Sequence, residues 1–316
     1  MVSTAPVPAE VIAGVLPAGV EVLSADYPTL LELAPRADIV IGDWWHRTHV
    51  DAAVIARLSR CRLIQQPSAG YENVDAVAAA AAGIPVANAG PANAGPVAEH
   101  AVMGALACLR FLPGLSAAAS AGDWNSQQFL DRDLWDLDER TVGILGMGAV
   151  GEAVAVRLRG FGSTVIYHKR HRLEPTREAE LGVDYRDLDA LLTESQVLVL
   201  TLPLNDQTRG ILSAPRLAQL PMGAVIVNVA RGHLMDMGAL AGMLRSGHLR
   251  GAALDVFDEE PLPPGHGLDQ LPNVVLTPHV AGATAIAKRD IFANSIENVS
   301  RVCRGEVPLY VVNGVA

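Results

Sequence analysis

Thr141-Val-Gly-Ile-Leu-Gly146-Met-Gly148-Ala-Val-Gly151 is the stretch that decides the fold. A short β-like run enters G-x-G-x-x-G, and an amphipathic helical pattern over Val150–Arg159 follows it. Gly146 permits a tight turn and Gly148 lets the backbone approach a pyrophosphate. Gly151 lets the helix pack close to the sheet, and the helix N-terminus at Ala149 and Val150 stabilises phosphate charge. Other glycine turns and some methyltransferases share the bare pattern. Here the strand before it, the helix after it and the next β-like run at Thr164–Tyr167 point to dinucleotide binding.

Outward from this loop the chain alternates β-like and helical segments. Towards the C-terminus, strands are expected at Val197–Leu200, Ala224–Val229, Ala252–Val256 and Val274–Thr277. Helices are expected at Leu188–Leu192, Ser213–Gln219, Met237–Ser246 and Ala285–Cys303. Towards the N-terminus, Glu21–Leu23, Ile39–Ile41, Leu63–Gln65 and Val86–Ala87 read as strands, with helices around Tyr27–Leu33 and Asp51–Ala56. Such alternation predicts an α/β chain of two Rossmann-like, doubly wound parallel sheets. Pro91–Pro96 is a break, and Val97–Phe111 reads as one long apolar helix. The irregular stretch Gly122–Arg140, with Trp124, Phe129, Leu134 and Trp135, reads as an arm, packed on its own chain or wrapping a second subunit. The last helix follows the second set of strands and could cross back to the first. The expected division is therefore 1–98 plus 285–316 as a discontinuous substrate domain and 99–284 as the dinucleotide domain, with a cleft between the lobes.

At 316 residues the chain is long enough for two cores. A formal charge of −10 argues against non-specific nucleic-acid binding, which needs clustered Lys and Arg. Apolar runs such as Val197–Leu202 stop short of the roughly 18–20 residues of a membrane span, and Met1–Pro8 carries no secretory pattern. Cys61, Cys108 and Cys303 show no metal-ligand spacing and are expected as buried, reduced thiols in a cytoplasmic protein; no metal is expected.

Three later segments carry the chemistry: Asn228-Val-Ala-Arg231-Gly232, Asp255-Val-Phe-Asp-Glu-Glu260-Pro261 and Thr277-Pro-His279-Val-Ala-Gly282. Arginine, carboxylate and imidazole together make an anion clamp and a tuned proton carrier, which reduction of a carbonyl beside a carboxylate requires. Among Asp258, Glu259 and Glu260, the place directly before Pro261 favours Glu260. After the second strand of this half comes Tyr167-His168-Lys169-Arg170-His171-Arg172. An NAD site usually has Asp or Glu there for the ribose hydroxyls. This chain instead gathers cations suited to a 2′-phosphate, so NADP is favoured over NAD, with His168, Lys169 and Arg170 as contacts.

Taken together these segments resemble the D-isomer-specific 2-hydroxyacid dehydrogenase family. The resemblance begins at Gln66-Pro-Ser-Ala-Gly70-Tyr-Glu-Asn73-Val-Asp75 and passes Gly83-Ile-Pro-Val, Val97-Ala-Glu-His100 and the glycine loop. It continues through Thr201-Leu-Pro203-Leu, Asn228–Gly232, Leu254-Asp255-Val-Phe and Glu260-Pro261 to Pro272–His279. It implies two Rossmann-like domains joined by helices near Val97–Phe111 and Ala285–Cys303, in a homodimer. Arg231 is then implied to bind the carboxylate and carbonyl oxygens of a 2-oxo acid, and His279 to be the acid/base. Glu260 is implied to orient His279 and raise its pKa, and Asp255 to hold the nicotinamide carboxamide, with Pro203, Val229 and Ala230 along the cofactor. The backbone N–H groups of Ala69, Gly70 and Tyr71 are implied to bind the substrate carboxylate.

The pocket is expected to be lined by Trp44, Trp45, His46, Ser68, Tyr71 and residues around Asn93. Glu99, His100 and His49 have ordinary structural or surface readings. Phosphite-oxidising relatives carry lysine where this chain has Ala69, and formate-oxidising relatives carry glutamine where it has Glu260. Both features favour a 2-oxo acid such as glyoxylate, hydroxypyruvate or a larger analogue. The rival from another class is a non-catalytic nucleotide sensor or corepressor-like protein, against which the intact Arg231, Glu260 and His279 argue.

Overall fold

A computed structural model describes residues 1–124, 127 and 133–315; Phe129 of the expected arm lies outside the described residues. The chain divides into two compact units. One joins Met1–Asn93 to the segment from Ala285 onward, and the other is Ala94–Thr284.

In the first unit the described strands form a parallel sheet in the order β2-β1-β3-β4-β5: β1 (Val2–Ser3), β2 (Leu23–Ser24), β3 (Val40–Ile41), β4 (Ile64–Gln65) and β5 (Val86–Ala87). This is the flavodoxin-like order of a doubly wound sheet. The helices are α1 (Ala9–Ala13), α2 (Tyr27–Leu33), α3 (Ala52–Ile55) and α4 (Ala76–Ala81). Asp26, Asp51 and Asp75 cap the N-termini of α2, α3 and α4, each accepting a backbone N–H three residues on. The terminal helix of the chain (Ala285–Cys303) belongs to this unit, where the Asn298 amide donates to buried Gln65 Oε1 at 2.7 Å. β1 and α1 are not among the elements expected from the sequence; α1, at five residues, is too short to show a helical period.

The second unit opens with α5 (Ala94–Leu109) and α6 (Leu112–Ser120), which meet at 66°. The helix expected over Val97–Phe111 is α5, which starts three residues earlier and ends at Leu109; Phe111, at a left-handed φ of 51°, separates it from α6. Among the described residues no single helix is long and apolar enough to cross a membrane. Seven described strands follow in parallel: β6 (Thr141–Leu145), β7 (Thr164–His168), β8 (Val183–Tyr185), β9 (Val197–Leu200), β10 (Ala224–Asn228), β11 (Leu249–Leu254) and β12 (Val274–Leu276). They are interleaved with α7 (Ala149–Leu158), α8 (Pro175–Leu181), α9 (Leu188–Glu194), α10 (Ala214–Leu217) and α11 (Met237–Ser246). Their order, β12-β11-β10-β9-β6-β7-β8, is the doubly wound dinucleotide order, with its switch point between β6 and β9. The central Val-Leu-Val-Leu of β9 is buried throughout, as a strand covered on both faces must be. β8 and α8 escape sequence reading because β8 is a three-residue edge strand and α8 hides only Glu178 and Leu181.

The later half of the expected arm packs on its own unit. Trp135 lies under the guanidinium groups of Arg140 and Arg250, at 4.4 and 4.3 Å from the ring centroid, and Leu137 is buried. Trp124 is 82% exposed. The cysteines differ from expectation: Cys108 is buried, Cys61 half-buried and Cys303, the last residue of the terminal helix, exposed beside buried Val302. Burial pushes the Cys108 thiol up to about 12 and the Cys61 thiol to about 11.

Candidate active site

The candidate cofactor residues of the second unit gather at the C-terminal ends of parallel strands: Gly146 after β6, His168 at the end of β7 with Lys169 beyond it, Pro203 after β9, Val229 and Ala230 after β10, Asp255 after β11, with Ala149, Val150 and Gly151 opening α7. In open α/β sheets ligands bind at this edge. Gly146, at φ 105°, sits so close to the segment after β9 that a Cβ would fall 2.8 Å from the Leu202 nitrogen. A Cβ on Gly151 would fall 2.3 Å from Gly146 O, so α7 can start against β6 only with glycine there. Around Gly148, by contrast, a Cβ would meet nothing within 4 Å, and no side chain caps α7. The structure therefore offers an open cradle over uncapped helix N–H groups, which fits a pyrophosphate. Ala149 is exposed and Val150 half-buried at this mouth.

The basic run after β7 divides by environment. His168 donates through Nδ1 to Arg186 O at 3.0 Å, and its own carbonyl accepts the Gly146 N–H. Arg170 is exposed and donates to Gln207 Oε1 at 2.9 Å, while Lys169 has no side-chain partner among the described residues. Arg172 is committed elsewhere, in a bidentate pair with Glu178.

Arg231, Glu260, His279 and Asp255 are brought together by three close loops. The loop after β10 is folded by Asn228, fully buried, which donates to Arg231 O at 3.0 Å and accepts from Ala230 N–H at 3.0 Å. Gly232 then passes so near the loop after β11 that a Cβ would lie 1.9 Å from the Phe257 carbonyl carbon. Glycine beside Arg231 is thus required for the two loops to meet.

Glu260 accepts from Phe257 N–H at 2.9 Å through Oε1 and from His279 Nδ1 at 2.8 Å through Oε2. Burial opposes ionisation of Glu260. The hydrogen bonds from His279 and Phe257 and the charges of His279 and Arg231 outweigh it and hold the carboxyl below its usual range. With Nδ1–H committed to Glu260, the proton available for transfer is on Nε2 of a ring that is 46% exposed.

The backbone of His279 is left-handed, at φ 52°, which costs a non-glycine residue about 1–2 kcal/mol. Asp255 holds it there. Its main-chain carbonyl accepts His279 N–H at 2.8 Å, Oδ1 accepts Val280 N–H at 2.9 Å and Oδ2 accepts Ala281 N–H at 2.8 Å. One residue thereby takes three consecutive N–H groups, with its side chain 2% exposed. Oδ1 also accepts from the Thr277 hydroxyl at 2.6 Å. Since that hydroxyl proton is used, His100 Nε2, at 3.0 Å, is the donor to Thr277 Oγ1. Glu99, one residue earlier on α5, pairs with Arg157 at 2.9 Å. The clamp by Asp255 and the part of Thr277 in it carried no sequence signal, because the partners lie 22 to 26 residues apart.

In the first unit, Ser68–Tyr71 follow β4. Ser68 Oγ donates to Gly70 O at 2.7 Å, and Asn88 Nδ2 donates to Ala69 O at 2.8 Å. Gln66 Nε2 donates to Ser68 Oγ, and His46 Nε2 lies 2.9 Å from the same oxygen. The carbonyls are tied back, whereas the N–H groups of Ala69, Gly70 and Tyr71 have no acceptor among the described residues. His46, at φ 57°, also places Nδ1 at 3.5 Å from Glu72. Trp45 is 52% exposed with its backbone N–H on Asp43, Trp44 and Phe292 line the same small cleft, and His49 is exposed.

Residues 102–281 match the model of the D-isomer specific 2-hydroxyacid dehydrogenase NAD binding domain. The chain is 36% identical over 295 residues to a glyoxylate reductase of Aeropyrum pernix, covering 91% of this chain and 86% of that protein. It is 35% identical over 272 residues to the mitochondrial formate dehydrogenase 2 of Oryza sativa, covering 85% and 71%. The crystal structure of a glyoxylate reductase from Paecilomyes thermophila superposes with a TM-score of 0.88 at 30% identity, covering 98% of this chain and 97% of that one.

Proposed function

Because the chain belongs to the D-isomer-specific 2-hydroxyacid dehydrogenase family and binds a nicotinamide cofactor, we propose that it reduces a 2-oxo acid to the D-2-hydroxy acid with NADPH. The observation that carries this reading is the 2.8 Å bond between His279 Nδ1 and Glu260, which leaves Nε2 as a proton donor in a partly exposed ring. The cofactor, when bound, supplies the hydride. His279 Nε2 gives its proton to the carbonyl oxygen, and Glu260 stabilises the ring's orientation through both forms. Arg231 offers a planar fork to the carboxylate and carbonyl oxygens. The acceptor-free N–H groups of Ala69, Gly70 and Tyr71 are suited to a carboxylate.

The preference for NADPH rests on the missing acid after β7 and on exposed Arg170 beside Lys169. Glyoxylate and hydroxypyruvate are the first substrates to try; Glu260 and Ala69 speak for them over formate and phosphite. We also propose a cytoplasmic homodimer, supported by the three free cysteines and by exposed Met103, Leu112 and Trp124. A panel of 2-oxo acids with NADPH and with NADH, run beside His279→Ala, tests the function. Turnover that His279→Ala abolishes while cofactor still binds is the expected result. Binding without turnover across the panel would point to a nucleotide sensor, and higher kcat/KM with NADH would refute the cofactor preference.

A further inference from the structure

Between β7 and α8 the chain makes a bracket whose two ends are fixed. At its start, His168 O accepts the Gly146 N–H and His168 Nδ1 donates to Arg186 O. At its end, buried Tyr167 accepts the Leu173 N–H on its hydroxyl oxygen at 2.9 Å and donates to Glu178 Oε1 at 2.7 Å. Glu178, on α8, is only 8% exposed. It receives Arg172 Nε at 2.8 Å and Nη2 at 2.7 Å, so each carboxylate oxygen is used. The Arg172 guanidinium also lies over the Tyr185 ring, 5.6 Å from its centroid. Only Lys169, Arg170 and His171 stand between these anchors.

A buried carboxylate between an arginine fork and a phenol is stable only with both donors in place. Arg172 and Tyr167 hold the Glu178 carboxyl at about 2, and burial together with Glu178 pushes the Tyr167 phenol up to about 12. The arrangement thus ties the far end of the basic loop to the strand that precedes it, and it takes one arginine of the run out of ligand binding.

We propose that Glu178 is a positioning residue for cofactor selection: through Arg172 and Tyr167 it fixes the loop that presents Lys169 and Arg170 to a 2′-phosphate. This rests on the NADPH reading above and adds the device that sets it. Fragment binding tests it apart from turnover. Calorimetric titration of adenosine 2′,5′-bisphosphate and of 5′-AMP is compared for the wild type, Glu178→Gln and Arg172→Met, with Tm recorded for each.

The expected result is at least tenfold tighter binding of the bisphosphate by the wild type. Both variants should lose most of that ratio while their 5′-AMP affinity stays within twofold, which separates positioning from general unfolding. If Arg172 were itself a phosphate ligand, freeing it in Glu178→Gln would strengthen bisphosphate binding while Arg172→Met weakened it, and the proposal would fall. A wild-type preference retained in both variants overturns the proposal alone. A wild type that binds the two fragments equally overturns the NADPH reading and the proposal with it.

Discussion

Asp255→Asn is the substitution whose consequence follows most directly from the geometry. Asparagine keeps the shape but has one acceptor oxygen. Placed at the Oδ1 position, that oxygen retains the Thr277 hydroxyl and the Val280 N–H. The amide group then faces the Ala281 N–H, which loses its 2.8 Å acceptor. A hydrogen bond to a charged group contributes roughly 1.5–3 kcal/mol, and an orphaned buried donor costs about 1–3 kcal/mol. The two descriptions overlap, and the retained bonds weaken once the charge is gone, so about 3 kcal/mol is a fair total. For a domain of this size that lowers Tm by roughly 6–12 °C. Without the full clamp, the left-handed strain at His279, about 1–2 kcal/mol, is no longer opposed, and kcat should fall roughly 5- to 30-fold. Thermal unfolding of cofactor-free protein and kcat at saturating NADPH measure the two effects. The cofactor-free Tm matters because a residue that served only the nicotinamide would leave it unchanged. A Tm within about 2 °C of wild type, with kcat within twofold, would refute the clamp.

Two glycines of the loop should separate by assay. Gly148→Ala, whose Cβ meets nothing within 4 Å, should leave Tm unchanged and weaken dinucleotide binding at least tenfold by calorimetry. Gly151→Ala, whose Cβ would sit 2.3 Å from Gly146 O, should lower Tm instead; equal Tm for both would contradict the packing. Glu178 is depressed to about 2 in the folded protein, so its contribution to stability is complete above the unfolded carboxyl value of about 4.3 and is lost as pH falls towards 2. The Tm gap between wild type and Glu178→Gln should accordingly shrink over that window, and a gap that widens on acidification would contradict the sign. Among the thiols, Cys303 should react with an aromatic disulfide within minutes at neutral pH, with Cys108 silent until denaturant is added; rapid labelling that survives Cys303→Ser would refute this.

Much of the second unit is legible in the sequence because its signals are local. β6, β9 and α11 sit where hydrophobic period and glycine spacing place them, as does the terminal helix of the first unit, since four to nineteen consecutive residues report their own environment. The helix that follows Phe111 was not legible, because α6 buries none of its residues and so shows no apolar face. Nor was the fate of Arg172, which reads as one more cation until α8 brings Glu178 beneath it.

The sequence by itself determined the α/β alternation around the glycine loop and singled out Arg231, Glu260 and His279 as the candidate chemical set. The alternation and the loop follow from residue type and spacing along the chain, and the roles of the three side chains from the family resemblance. Only the tertiary structure decided how the set is held: Gly232 against Phe257, Glu260 on His279, and Asp255 beneath three successive N–H groups. The physical reason is that parallel strands set their C-terminal ends side by side, joining residues that lie tens of positions apart. Whether a carboxylate there is a ligand or a brace depends on which donors surround it, and no local pattern records that.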